Sequence, residues 1–291
     1  MVERLKILVT GCNGQLGSSI KRNSDCYNYI FFFKEKSELD ISNYNILKNY
    51  LKKNKIDTVI NCAAFTDVEN SEVNKELADK INHCAVDNLA KLCAKFNIQL
   101  IHISTDYVFD GNRNIAYSEN IITNPINYYG LTKLKGEKKI FKYDLKNSAI
   151  IRTSWLYSNS KNNFVSKIIS KINTGTSFSV TDKEYGSPTN VEDLSRTILE
   201  IIPQLKNTKT QIYHFSNLGI CSRYDLAIKI RQLTKGVTKI SPEIKSSSMV
   251  NRPKFTPLDS TKLSENFKIE IKDWETSLKE HLSQNINSFC K

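Results

Sequence analysis

Several things are scarce in this chain of 291 residues: 6 prolines, 10 glycines, 2 methionines and 2 tryptophans. Collagen-like and low-complexity compositions are therefore excluded, and 40% hydrophobic with 25% charged residues is the composition of a folded protein. Nowhere is there a run near the ~18 uninterrupted apolar residues that a membrane helix needs. The longest candidate, Tyr29 to Phe33, ends at Lys34, so no membrane association is expected. The apolar part of Met1 to Val9 is too short for a secretory leader and runs straight into a glycine-containing turn. The N-terminus is expected to belong to the fold, and the location to be cytoplasmic.

Paired cysteines are also missing. Cys12, Cys26, Cys62, Cys84, Cys93, Cys221 and Cys290 are odd in number and show no Cys-x-x-Cys or Cys/His ligand spacing. They read as free thiols, mostly small buried hydrophobes, and no metal site is expected from them. Acids are scarce relative to bases: 42 Lys and Arg against 30 Asp and Glu give a net charge of +12. That balance admits nucleic acid, an anionic surface or a phosphorylated ligand. The densest clusters, Lys52-Lys53-Asn54-Lys55 and Lys133 to Lys142, are interleaved with apolar residues at helical spacing, as on solvated helix faces. No nucleic-acid recognition element accompanies them.

What is present is an alternation of strand-length apolar runs with helix-length segments. Strands are expected at Lys6 to Thr10, Tyr29 to Phe33, Thr58 to Cys62, Leu100 to Ser104 and Ala149 to Arg152. They lack polar alternation, as strands covered on both faces do. Helices are expected at Gln15 to Arg22, Tyr44 to Lys53, Glu76 to Phe96 and Tyr128 to Phe141. The fold class is α/β, a doubly wound parallel sheet. After Trp155 the rhythm loosens, with helices expected at Asn163 to Lys171, Val191 to Ile202, Ser222 to Thr234 and Trp274 to Asn287. We therefore expect residues 1–155 to hold a nucleotide-binding domain and 156–291 to form a smaller, partly interleaved substrate lobe. In the last helix Trp274, Leu278 and Leu282 share one side, which suits core packing or a homodimer contact.

Two motifs carry chemistry. The first, Gly11-Cys12-Asn13-Gly14-Gln15-Leu16-Gly17, lies between the first strand and the first helix. In that position the glycines permit a tight turn, close approach of a pyrophosphate and close packing of helix on strand, while helix N–H groups meet negative charge. A Rossmann dinucleotide site is expected. No acid ends the second strand; Lys34, Glu35 and Lys36 follow Phe33. A cation there suits the 2′-phosphate of NADPH, with NADH the alternative. Asp40 either reaches the adenine or caps the following helix.

The second motif is Tyr129-Gly130-Leu131-Thr132-Lys133 opening a helix, with Ser104-Thr105-Asp106 at the end of the fourth strand. Tyr129 and Lys133, four apart, share a helical face. Reduction of a ketone by hydride needs an acid for the nascent alkoxide, and a tyrosine with its ordinary pKa of ~10 is better poised beside an ammonium. Lys133 supplies that field and can hold the nicotinamide ribose, and the Thr105 hydroxyl can hydrogen-bond the carbonyl.

The chain resembles the dTDP-4-dehydrorhamnose reductase family of extended short-chain dehydrogenases/reductases over nearly its whole length. The resemblance rests on GCNGQLG (Gly11 to Gly17), ELDI (Glu38 to Ile41), VINCAAFT (Val59 to Thr66), STDYVFDG (Ser104 to Gly111) and NPINYYGLTKLKGE (Asn124 to Glu137). It continues in RTSWLY (Arg152 to Tyr157), NNFV (Asn162 to Val165), GSPT (Gly186 to Thr189) and Arg252-Pro253. It implies that the glycine loop, Asp40 and Ile41 hold the cofactor and that Ala63, Ala64 and Phe65 line it. It further implies Tyr129 as proton donor with Lys133 as its partner, Thr105 and Asp106 at the sugar, Trp155 packed on the substrate and Arg252 at the nucleotide diphosphate. The reaction implied is reduction of dTDP-4-dehydro-β-L-rhamnose to dTDP-β-L-rhamnose for surface polysaccharide. Magnesium assists parts of this family, but no ligands for it can be matched to positions here.

Three positions depart from the family pattern: Phe65 in place of a common tyrosine, Asp182-Lys183-Glu184-Tyr185 in place of the usual Asp-Gln, and Arg223 in place of a frequent aromatic. Two alternative activities are weighed. Bifunctional 3,5-epimerase/4-reductases carry a cysteine just after the serine/threonine segment, where this chain has Asp106-Tyr107. A non-catalytic regulatory subunit, similar to the β subunit of methionine adenosyltransferase, would not need the complete Thr105, Tyr129, Lys133 set.

Overall fold

The computed structural model describes residues 4–206, 208–243 and 250–289, with side chains omitted for 285–289. Met1 to Glu3 and Cys290, read above in the sequence, lie outside the described residues. Six parallel strands form the central sheet: β1 (Lys6–Thr10), β2 (Ile30–Lys34), β3 (Thr58–Asn61), β4 (Gln99–Thr105), β5 (Ala149–Thr153) and β6 (Gln211–Phe215). Their order is β6-β5-β4-β3-β1-β2. The chain thus leaves β1 in one direction for β2 and returns on its other side for β3. A ligand crevice opens at the carboxyl ends of the strands where such an order reverses.

Strand periodicity divides the apolar side chains between two layers. Ile7, Val9, Ile60, Ile101 and Ile151 pack with Leu16 and Ile20 of helix α1 (Gln15–Asn23) and with Leu194 and Ile198 further along the chain. Leu8, Val59, Leu100 and Ile150 face the opposite side. There they meet Leu47 and Leu51 of α2 (Tyr44–Asn54) and, beyond the short helices α3 (Val68–Val73) and α4 (Lys75–Asp79), Val86 and Leu89 of α5 (Ala85–Phe96). Helix α6 (Tyr128–Lys142) follows β4. Its Glu137 is locked to Arg152 of β5 by Nη2–Oε2 at 2.6 Å and Nε–Oε1 at 2.9 Å, and it accepts Ser104 Oγ of β4 at 2.5 Å. The ion pair is 3% and 2% exposed, so each charge depends on the other.

Helices α7 (Phe164–Asn173), α8 (Val191–Ile201), α9 (Arg223–Leu233), α10 (Thr261–Phe267) and α11 (Trp274–Phe289) complete the structure. Leu194 and Ile198 belong to α8, which packs on α1 with Ser19 Oγ 2.8 Å from Ser195 Oγ. Trp274, Leu278 and Leu282 are buried among residues of α7 and α9, so that stripe serves this chain's own core and not a contact with a second copy. Among the described residues no helix is long and apolar enough to cross a membrane.

Several elements differ from the sequence reading. The second strand is displaced by one residue because Thr10 pairs with Lys34. The expected helix at Glu76 to Phe96 is interrupted by a π turn at Lys80–Cys84. Helices α3 and α10 and strand β6 were not expected. Gln-Ile-Tyr-His-Phe is not uniformly apolar, and it is recruited by pairing with β5, 62 positions away in the sequence (Ile150 to Ile212).

Candidate active site

The glycine loop turns at Gly11, whose φ of +62° lies in the left-handed region. A Cβ there would stand 2.8 Å from the Ala63 Cα and N, so the loop can press against the end of β3 only with glycine in that place. Gly14 then caps α1 in extended backbone, with no side-chain cap and no acid in the first turn. The open N–H groups and positive end of α1 face the crevice unopposed. A cavity of about 240 Å³ beside the loop is lined by Gly11, Lys36, Asp40, Ile41, Ala63 and Ala64, among others. A larger cavity of about 580 Å³ shares Gly14, Cys62 and Ala64 with it. Asn13, Gln15, Leu16 and Gly17 form one side of the larger cavity, and Thr105, Asp106, Tyr129, Lys133, Trp155 and Arg252 line the rest.

Most residues singled out from sequence therefore meet in one continuous cleft. Phe65, expected to line the cofactor, is the exception: it lines neither cavity. Its backbone is gripped by Asn82, which accepts from Phe65 N and donates to Phe65 O, each at 2.9 Å. Asn82 sits in the π turn and also donates to Thr132 Oγ1 of α6 at 3.1 Å. A π turn inside a helical pattern leaves no mark in hydrophobic periodicity, which is why the sequence did not reveal Asn82. Asp40 accepts from Ser42 N at 2.9 Å, whereas Asn43 caps α2 through Ile46 N at 3.1 Å; Asp40 faces the small cavity and is not the cap. Lys34 is committed to Glu38 at 2.6 Å and Glu35 is bonded by Asn13, which leaves Lys36 as the cation lining that cavity.

At the other end, Asn127 caps α6 through Gly130 N at 2.9 Å and starts the helix so that Tyr129 and Lys133 both reach the large cavity. Burial pushes the Tyr129 phenol well above its ordinary range, opposed by a hydrogen bond with Thr105. The sequence predicts that Lys133 lowers it; in the structure burial is the larger influence and acts the other way. Lys133 Nζ is drawn beneath the site, donating to Ile103 O at 2.6 Å and lying 3.4 Å from His102 Nε2. Desolvation dominates the lysine too, bringing it down to about 8. Behind it runs a buried chain that periodicity could not disclose: Thr10 Oγ1 donates to Asn61 Oδ1 at 2.7 Å, and Asn61 Nδ2 is 3.0 Å from His102 Nδ1.

Thr105 Oγ1 donates to Asp106 Oδ1 at 3.0 Å, and Thr256 Oγ1 donates to Asp106 Oδ2 at 2.7 Å. Burial raises the Asp106 carboxyl to about 6. Trp155 adopts a positive φ of 47° at the end of β5. Its indole rests on Gly186, where a Cβ would stand 2.5 Å from the Trp155 Cε2, so the Gly-Ser-Pro-Thr turn exists to seat this ring. The arrangement places a neutral phenol, a threonine hydroxyl and a buried ammonium at one end of a crevice whose other end is a helix N-terminus. That is the equipment for delivering a proton to a carbonyl beside a bound dinucleotide.

Comparison with known proteins decides the family. The model described as RmlD substrate binding domain matches residues 5–286. A dTDP-4-dehydrorhamnose reductase of Aggregatibacter actinomycetemcomitans is 32% identical, over 98% of this chain and 99% of its own. The chain belongs to the dTDP-4-dehydrorhamnose reductase family. Solved structures of that family agree. The Clostridium acetobutylicum reductase superposes with a TM-score of 0.91 at 35% identity, covering 96% of this chain and 99% of that one. A Bacillus anthracis reductase in complex with NADP gives a TM-score of 0.91 at 32% identity, covering 98% and 99%.

Against that family pattern, two of the three departures are neighbours in space. Arg223 Nε lies 3.7 Å from Glu184 Oε2, and the Arg223 N–H donates to Glu184 O at 3.1 Å. Among the described residues, Asp79, His83 and Cys84 form one grouping with metal-ligand chemistry, but Lys135 holds Asp79 at 3.0 Å and none of the three lines either cavity.

Proposed function

We propose that this member of the reductase family reduces the 4-keto group of dTDP-4-dehydro-β-L-rhamnose, giving dTDP-β-L-rhamnose, with NADPH as the cofactor. The cytoplasm is the proposed location and surface polysaccharide the destination of the sugar. The observation that carries the reading is the convergence of Thr105, Tyr129 and Lys133 on a cavity edged by the glycine loop and walled by Trp155. The residues present fit a dinucleotide: the cradle at Gly11 has no room for a Cβ, and the first turn of α1 carries no acid. Asp40 and Ile41 would receive the adenosine, and Lys36 favours a 2′-phosphate. When bound, the nicotinamide supplies a hydride to the sugar C4.

The chain's own residues do the rest. Tyr129, kept protonated by burial, gives its proton to the carbonyl oxygen as that oxygen gains charge. Thr105 aligns the same oxygen once its single hydroxyl proton turns from Asp106, itself clamped by Thr256, to the carbonyl. Lys133 contributes positive charge beneath the phenol and holds the nicotinamide ribose. Trp155 packs on the sugar. Residues 1–155 supply the cofactor side and 156–291 most of the substrate wall, with β6 and α8 of the second part built into the first. Epimerisation at C3 or C5 is not part of the proposal: the segment after Thr105 offers no cysteine, and the Cys62 thiol in the cleft is pushed up to about 12 by burial, so it stays protonated near neutral pH and cannot take a proton.

The test follows NADPH and, separately, NADH absorbance with dTDP-4-keto-6-deoxyglucose, with and without an added 3,5-epimerase. Oxidation only with the epimerase, and faster with NADPH, is expected. Oxidation without it would mean a bifunctional enzyme, and none in either condition would overturn the reading.

A further inference from the structure

The large cavity is lined by four cationic side chains, Lys133, Lys167, Arg223 and Arg252, against a single acid, Asp106. Lys133 lies at the reaction end. Arg223 and Arg252 are brought to the opposite wall by backbone pairing. Ser222 pairs with Tyr185, Tyr185 N donates to Lys254 O at 2.7 Å, and Thr256 N donates to Tyr185 O at 2.9 Å. Three distant segments thus run side by side and set Arg223 against Glu184 and Arg252 against Tyr107. Arg252 Nη1 donates to Tyr107 Oη at 3.4 Å and Nη2 pairs with the exposed Glu69 Oε1 at 3.3 Å; Glu184 favours the charged form of both arginines, while Arg252 disfavours that of Arg223.

Two like charges sharing a partly desolvated wall repel, and an anion between them relieves that cost. Arg223 is also held rigid. Its guanidinium carbon lies 3.5 Å from the Trp155 ring centroid and 4.9 Å from that of Phe164. Stacking fixes the plane of the guanidinium and leaves its in-plane N–H groups to donate, the geometry in which arginine grips phosphate oxygens. Among the described residues its one ion-pair partner is Glu184, at a loose 3.7 Å through Nε alone.

We propose that Arg223 is a substrate-binding residue which, with Arg252, receives the diphosphate of the sugar nucleotide, and that Glu184 is the internal anion competing for it. The inference rests on the sugar-nucleotide reading above. It makes the diphosphate wall of this protein a two-arginine clamp tied by Trp155 to the sugar site, so that one ring contacts both the sugar and the residue gripping its phosphates.

The test titrates dTDP, with uncharged thymidine as control, into the NADP-loaded protein and its R223Q, R223K and E184Q variants. R223Q is expected to weaken dTDP about tenfold to a hundredfold, leave thymidine and NADP binding unchanged, and raise KM for the keto sugar far more than it lowers kcat. R223K, a point charge without the fork, falls between. E184Q is expected to tighten dTDP about threefold or more, because the competing carboxylate is gone. Unaltered dTDP affinity in R223Q with NADP binding intact would show that Arg223 merely packs Trp155, and would overturn the proposal. If R223Q fails to fold, E184Q decides: tighter dTDP binding supports the clamp, and equal or weaker binding overturns it. A wild-type protein that binds dTDP but oxidises no NADPH with the keto sugar would overturn the reductase reading while leaving the diphosphate contact standing.

Discussion

The cofactor side and the substrate side of the cleft are built in different ways. The cofactor side is mostly backbone: a seven-residue loop, the first turn of α1, and the ends of β1 and β3 at Ala63. Its specificity lies in what is absent, a side chain at Gly11 and an acid at the start of the helix. The substrate side is mostly side chains, with Trp155, Arg223 and Arg252 carried on segments whose backbones are joined by two-residue strands and single bridges. A backbone site demands one local sequence and tolerates little, whereas a side-chain wall can be altered one residue at a time. Two of the three family departures follow that division: Glu184 and Arg223 stand together beside the substrate cavity.

The strongest way to break the comparison is to damage what both sides share. Glu137→Ala leaves Arg152 charged and buried, and is expected to destabilise the protein by about 3–5 kcal/mol, read as a lower denaturation midpoint. Tyr129→Phe should separate chemistry from both kinds of binding: kcat falls about 100-fold or more while affinities for NADPH and dTDP stay within about twofold. An active variant would remove Tyr129 from the mechanism.

Two alanine substitutions sharpen the contrast. Gly11→Ala strains a positive φ and pushes against the Ala63 backbone, so NADPH affinity should fall about tenfold or more while dTDP binding stays near wild type. Gly186→Ala displaces the Trp155 ring, so KM for the keto sugar should rise about five- to thirtyfold, about 1–2 kcal/mol, with NADPH binding spared. If both variants lose both ligands equally, the two sides are not independent. The smallest effect is a pH dependence. Lys133 titrates near 8 because burial disfavours its charge, so kcat/KM should decline as pH rises through that value and the ammonium is lost. In Lys133→Arg the same limb should move beyond the accessible range, because a guanidinium stays charged.

Legibility in the sequence follows the range of the interactions. Ile7-Leu8-Val9 and Val59-Ile60 read as strands because both faces are covered, and the loop from Gly11 to Gly17 reads as a nucleotide turn because all its parts are adjacent. Tyr129 and Lys133 were visible as a pair because a helix fixes their spacing. Strand β6 was hidden, since Gln211 and His214 interrupt its apolar residues without regular alternation and its partner β5 is remote. Asn82 was hidden by a π turn, and the chain from Thr10 through Asn61 to His102 by its passage across three strands. That burial outweighs Lys133 at Tyr129 was hidden because spacing along a helix says nothing of desolvation or of where Nζ is drawn, here to the Ile103 carbonyl.

By itself, then, the sequence determined the sheet's first five strands, the cofactor loop and the identities of the groups able to reduce a carbonyl, because each rests on local periodicity or on residues a few positions apart. Only the tertiary structure decided that these groups share one cleft, that Phe65 stands outside it, and that burial outweighs the lysine in setting the state of the phenol. It also decided that Glu184, Arg223 and Arg252 form one charged wall. Those outcomes depend on desolvation and on pairings between distant segments, quantities that exist only once the chain has closed on itself.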